Sequence, residues 1–169
     1  DNTDWIELPP GLFRGLSAAS VAVWVRDLST ARQGGRLFHF SAGPDEEIYF
    51  APDDVDPDTS TPGSHLAGRH RGSSFVDLWT TSPILTDKEW HHVVVTWNSA
   101  SLDLYVDGAR RGSVDSPEAL PSDLGDTGPD YLGRSLDEAQ IALYAEMDDL
   151  RVYARALDAG EVAQLFTEP

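Results

Sequence analysis

The sequence predicts an all-β domain, either a two-sheet sandwich or a barrel. Three observations carry this. Short runs rich in Val, Ile and aromatic residues recur roughly every ten residues, separated by Gly, Pro, Asp and Ser. Helical periodicity is confined to the C-terminal end. With 169 residues, 40% of them hydrophobic, the chain can build one ordinary core but not two, so residues 1–169 are expected to form a single domain.

The elements follow in order. Trp5–Leu8 reads as a brief strand stopped by Pro9 and Pro10. Ser20–Arg26, Arg36–Ser41 and Glu47–Ala51 are further strands, and Ala42-Gly43-Pro44 ends the second of these. Asp53–Gly63, dense in Asp and Pro, reads as a loop, while Leu12–Leu16 could form a helical turn. His65–Arg71 and Phe75–Thr80 pair around Gly72-Ser73-Ser74. Trp90–Trp97 is the clearest strand. Leu102–Val106 and Arg110–Val114 flank Asp107-Gly108, whose residue types accept the positive φ angles of a tight hairpin turn. Tyr131–Gly133 and Ile141–Tyr144 are short strands, and Met147–Tyr153 is the last long one. Asp158, three residues before Glu161, makes a capping box. Val162, Leu165 and Phe166 then share one face of a short C-terminal helix, expected to cover an edge or end of the sheets.

Composition removes several functions. Twelve basic against 29 acidic residues give a net charge of −17, against nucleic acid and anionic membrane partners, which need a basic footprint. The acidity suits neutral or cationic ligands or hard metal ions, and a salt-adapted surface would also explain it. There is no Cys, so disulfides, thiolate metal sites and a Cys nucleophile are excluded. No run of 18 apolar residues occurs. The N-terminus lacks a signal-peptide pattern, and a start at Asp1 suggests a piece of a longer protein.

Six stretches, in order, resemble one family. They are Asp4-Trp5-Ile6-Glu7-Leu8-Pro9, Ala22-Val23-Trp24-Val25, the Glu89–Trp97 strand, Leu104-Tyr105-Val106-Asp107-Gly108, Tyr131-Leu132-Gly133-Arg134-Ser135, and Met147–Leu157. Together they resemble laminin G-like, concanavalin A-like jelly rolls. The resemblance runs from residue 4 to about 166. It implies an antiparallel β-sandwich of two sheets with one short C-terminal helix. Leu120–Gly125 and the Tyr-Leu-Gly-Arg-Ser stretch resemble copies attached to secreted bacterial glycoside hydrolases, including arabinose-releasing ones. This implies an extracellular setting and a covalently linked catalytic domain.

Catalytic chemistry is poorly supported. A glycosidase needs two carboxylates facing one cleft. Glu46 and Glu47 are adjacent and would face opposite ways on a strand; Glu146 and Asp148 are the one same-face pair. No Gly-x-Ser-x-Gly elbow is present. His91 and His92 also face opposite ways, and His65 and His70 are expected to be solvent-exposed.

Twenty of the 29 acids are Asp, a hard-oxygen composition suited to Ca²⁺. The resemblance implies a structural calcium ion near the chain ends. Asp148, read as opening an inward row with Leu150 and Val152, is the first expected ligand, with Asp4 and Asn2 beside it.

Sugar sites on sandwiches combine aromatic platforms with Arg, Asp, Asn and His groups. Trp24, Trp90 and Trp97 sit in strand motifs and are expected in or near the core, and Trp5 is expected to pack. Trp79, in a looser context, is the best platform. His39, Tyr49, Arg69, Arg134 and Tyr144 are the candidate contacts around it. The expected function is a carbohydrate-binding module for an oligosaccharide or polysaccharide, with arabinose- or other furanose-containing plant glycans first. The alternative is a protein-interaction or structural laminin G-like domain of a cell-surface protein.

Overall fold

Alternation of inward apolar and outward polar residues sorts the strands into two layers. The computed structural model describes residues 4–28, 34–137 and 142–168. Within them β1 (Ile6–Leu8), β2 (Ala19–Asp27), β3 (Phe38–Gly43), β4 (Glu46–Val55), β5 (Pro62–His70), β6 (Ser73–Trp79), β7 (His91–Trp97), β8 (Ser101–Val106), β9 (Ala109–Asp115), β10 (Asp130–Leu132) and β11 (Ala145–Tyr153) precede α1 (Ala159–Thr167). A six-stranded sheet runs β1-β10-β3-β4-β5-β6 and a five-stranded sheet β11-β2-β7-β8-β9. Every pairing is antiparallel. This is the two-sheet sandwich that the sequence led us to expect.

The core fills the space between the layers. Phe38, Phe40, Phe50 and Leu66 of one sheet meet Val23, Val25, Val93 and Leu104 of the other. Trp97 is buried as expected: it stacks on Phe75 at 5.1 Å, and its indole N–H donates to the Ala119 carbonyl at 2.9 Å. Asp107 and Gly108 take φ of 53° and 73°, as the hairpin reading required.

The C-terminal helix carries its capping box. Asp158 accepts from the Glu161 N–H at 2.9 Å, and Glu161 accepts from the Asp158 N–H at 2.9 Å. It covers an outer face rather than an edge or end. Val162 packs on Ala22, Val94, Tyr105 and Leu157, all on the outside of the five-stranded sheet. Ser20 anchors the approach, accepting from the Leu157 N–H at 2.9 Å and donating to the Arg155 carbonyl at 3.0 Å. At Gly108 an added Cβ would lie 3.3 Å from Ala163 Cα, so the bare glycine lets the helix settle against the hairpin.

Some local expectations change. The Asp53–Gly63 stretch is partly ladder, with Asp54 opposite Gly63 and Val55 opposite Pro62. Residues 11–16 form turns closed by Arg14 N–H to Gly11 O and Leu16 N–H to Phe13 O, not a helix. Of the expected Ile141–Tyr144 strand, Ile141 lies outside the described residues and 142–144 are not in a strand. A 3-10 turn at Pro121–Leu124 was not anticipated.

The largest change is in β11. A bulge falls between Asp148 and Arg151, with Asp149 at φ 50°. The extra residue resets the alternation. Met147, Leu150 and Val152 all pack on the core, and Asp148 is exposed. The reading of Asp148 as the start of an inward row is therefore corrected: unbroken alternation does not hold through a bulge.

Candidate functional site

The outer face of the six-stranded sheet collects polar and aromatic side chains. Phe38, Phe40, Ile48, Phe50 and Leu66 take the inward positions on β3, β4 and β5. Their neighbours His39, Ser41, Glu47, Tyr49, His65 and Arg69 therefore point outward. The register sets His39 opposite Tyr49, Tyr49 opposite Ala67, and His65 opposite Trp79.

These side chains hold one another. The His39 and Tyr49 rings meet edge to face at 5.6 Å, as do Tyr49 and His65. Beyond them, His65 stacks on the Trp79 indole at 3.8 Å, nearly parallel. The Arg36 guanidinium lies 3.5 Å over the Tyr49 ring and reaches Asp54 at 3.3 Å. Asp77 Oδ1 accepts from Trp79 Nε1 at 3.0 Å and sits 2.8 Å from His65 Nε2. Electrostatics follow. Burial raises the Tyr49 pKa, so its hydroxyl stays protonated. At Asp54 burial pushes the carboxyl up, but His65, the Val55 N–H and Arg36 together outweigh it and hold it low.

A cavity of about 540 Å³ opens on this face, lined by His39, Tyr49, Glu47 and Arg36 on the sheet side. Ser135, Leu136 and Asp137 form its opposite wall as a strap. The Leu136 N–H donates to His39 Nδ1 at 3.1 Å, and His39 Nε2 lies 2.9 Å from Glu47 Oε2. An amide can only donate, so Nδ1 is the unprotonated nitrogen and Nε2–H donates to Glu47. Ser135 Oγ is 3.4 Å from the same Nδ1. Ser135, His39 and Glu47 thus resemble a hydrolase triad in composition only. The lone pair that would take the serine proton already accepts from a backbone amide, and the hydroxyl is buried.

Four of the six expected contact residues share this face. His39 and Tyr49 line the cavity; Arg69 is exposed on β5, and Trp79 closes the aromatic row. Arg134 lies elsewhere: its guanidinium stacks on Trp5 at 4.3 Å and Tyr131 at 4.9 Å. Tyr144 is 47% exposed and also lies apart from the cavity. Arg36, Glu47, His65 and Asp77 were missed. His65 is buried rather than exposed as expected, and its shared parity with Arg69 was the signal that could have placed it.

The other tryptophans also depart from expectation. Trp5 is 45% and Trp90 39% exposed, and Trp24 points to the outer face of the five-stranded sheet, stacking on Phe166. Two of the expected calcium ligands line different hollows. Asp4 lines a small hollow with Met147 and Gly133, whereas Asp148 lines a different one with Trp24 and Trp90. Asn2 lies outside the described residues. Among the described residues no three His, Asp or Glu groups gather as a metal cluster.

Known proteins give the fold a context. A family model described as the concanavalin A-like lectin/glucanases superfamily matches residues 1–163. No curated protein sequence matches. Among solved structures, domain 4 of AbnA, an extracellular GH43 arabinanase from Geobacillus stearothermophilus in complex with arabinotriose, superposes with TM-score 0.70 at 20% identity, covering 95% of this chain and 71% of that one. The mouse laminin α1 chain domains LG4-5 give 0.66 at 14%, covering 95% and 42%. The Ruminococcus gnavus IT-sialidase CBM40 bound to α2,3 sialyllactose gives 0.64 at 14%, covering 97% of both chains. At such identities the likeness is one of fold.

Proposed function

The chain belongs to the concanavalin A-like lectin/glucanases superfamily, and from that premise we propose that it is a non-catalytic carbohydrate-binding module. One observation carries the reading. Tyr49, His65 and Trp79 form a continuous aromatic row on the outer sheet face, half-buried at Tyr49 and Trp79 and buried at His65, beside a cavity edged by His39, Glu47 and Arg36. Rings present flat apolar surface to sugar C–H groups, and charged groups fix hydroxyls bidentately. Two structural neighbours named with bound oligosaccharides support it.

The finer proposal is an arabinose-containing plant glycan. Arabinotriose in the Geobacillus domain supports it, as does the local charge, since Glu47, Asp54, Asp77 and Asp137 outnumber Arg36 and Arg69. An excess of carboxylates disfavours an anionic sugar. In this reading the module is extracellular, is joined to a glycan-degrading catalytic domain, and keeps that domain near its substrate by raising effective concentration.

Titration calorimetry against arabinan, arabinogalactan, xylan, fructan and their oligosaccharides tests the proposal. Saturable heat with a neutral furanose-containing glycan is the expected result. Its loss in His39→Ala would locate the site. A folded sample that gives no heat with any glycan would overturn the reading and favour a protein partner. Repeating the titration in calcium and in EDTA tests the metal separately, with equal affinity expected.

A further inference from the structure

The outer face of the five-stranded sheet carries a second aromatic hollow. Helix α1 covers only part of that face, over Ala22, Val94 and Tyr105. Next to the covered part lies an open hollow of about 550 Å³, lined by Trp24, Trp90, Asp148, Asp149 and Arg151. It matches the first cavity in size and lies on the opposite side of the sandwich.

Both indoles are held by neighbouring side chains. Trp24 stacks on Phe166 at 5.8 Å and meets the tilted His92 ring at 5.1 Å. Arg26 lies 5.6 Å from the Trp90 ring centre and pairs with Glu146. Trp90 is nonetheless 39% exposed, one of four large apolar side chains in that state among the described residues.

The polar rim is supplied by the β11 bulge. In regular alternation Asp148 and Asp149 would face opposite sides. The positive φ of Asp149 instead brings Asp148, Asp149 and Arg151 round one hollow. Asp149 Oδ1 accepts from Arg151 Nε at 2.8 Å, which fixes the guanidinium. Among the described residues Asp148 accepts a local bond from the Asp149 N–H, and its side chain is exposed to solvent. A non-glycine residue at φ 50° is a local cost, and bulges of this kind commonly re-aim side chains beside sites.

We propose that this hollow is a second saccharide site, in which a neutral sugar stacks on Trp90 and hydrogen-bonds through its hydroxyls to Asp148 and Arg151. The ligand class rests on the carbohydrate-binding reading above; the site itself rests on this geometry. The module would then be bivalent, with sites on opposite faces able to engage two chains of one polysaccharide and gain avidity without further contacts.

The test is calorimetry with arabinotriose, alongside turbidity with branched arabinan, on the wild type, Trp90→Ala, Asp148→Asn and a His39→Ala/Trp79→Ala double variant. The expected result is two sites in the wild type and one in each variant set, with at least tenfold weaker binding at the affected site. Arabinan turbidity is expected to disappear in every variant. Asp148 is exposed, so Asp148→Asn reports on the site even if Trp90→Ala fails to fold. A single site lost in the double variant but unchanged in Trp90→Ala and Asp148→Asn would overturn the inference and leave the first site standing. A single site lost only in Trp90→Ala and Asp148→Asn would support the inference and relocate the first reading. No binding in any protein would overturn both.

Discussion

The two outward sheet faces began from the same pleat and met different fates. On the five-stranded sheet, Ala22, Val94 and Tyr105 point outward and are covered by Val162 and Leu157. On the six-stranded sheet, His39, Tyr49, His65 and Trp79 point outward and are not covered by a helix. The covered face is satisfied by small apolar shapes and one anchored helix. The open face must satisfy its polar atoms itself: His39 has Glu47 and Leu136, His65 has Asp77, and Arg36 has Asp54. A buried polar group without a partner is costly, so the open face is a network rather than a scatter of residues. Among the described residues three buried nitrogens still lack a partner, Arg36 Nε on the open face and Arg26 Nε and His92 Nδ1 on the five-stranded sheet; at His92 burial lowers the pKa and keeps the ring neutral.

Breaking the cover should have the largest effect. Val162 is fully buried, and Val162→Asp would place a carboxylate against Val94 and Tyr105. A loss of roughly 4 kcal/mol is expected in urea unfolding, with red-shifted Trp24 fluorescence as Phe166 leaves. Loosening the hook is milder. Ser20→Ala leaves the buried Leu157 N–H unpaired and should cost about 1–3 kcal/mol in the same assay, with no change in sugar affinity. On the open face the balance reverses. Trp79→Ala removes the end of the aromatic row and should weaken glycan binding about tenfold, or about 1.4 kcal/mol, while melting changes little.

The smallest effect separates two neighbouring histidines. At His91 burial lowers the pKa, but hydrogen bonds to Asp107 and Asp87 outweigh it and the net shift is upward. Its stabilisation is therefore present below the unfolded value near 6.5 and lost as pH rises through the folded one. His92 is lowered, so it costs stability once pH falls below about 6.5. The two oppose each other in the wild type. His91→Gln should leave the His92 penalty alone, giving a steeper loss of stability on acidification. Urea midpoints at pH 8, 6.5 and 5.5 would measure the difference.

Local signals carried much of this fold. The Asp107-Gly108 turn and the Asp158–Glu161 box are short-range patterns whose chemistry is complete within a few residues, and both stand as read. His39 and Tyr49 were chosen for the strands they lie on, and the structure sets both on one outer face, lining one cavity. What escaped depends on distant partners. The Ser135–Asp137 strap is set by an amide bonding a ring 97 residues earlier, and no local pattern announces that. Trp24 sits between Val23 and Val25, a run apolar on both faces, so alternation alone could not show that its outer face meets a helix. The Asp149 bulge escaped for a third reason: nothing in Met147-Asp148-Asp149-Leu150 marks which residue will be extra.

That extra residue makes β11 one residue longer than the strand it pairs with. Asp148 lies opposite Trp24 and Arg151 opposite Ala22, so Asp149 and Leu150 together face Val23. Deleting Asp149 would leave one residue opposite one, and Met147, Leu150 and Val152 would keep the core face in unbroken alternation. A single-codon deletion here would therefore straighten the ladder and remove only the Asp149–Arg151 pair, whereas substitution of Asp149 by Gly would keep the bulge and relieve its backbone.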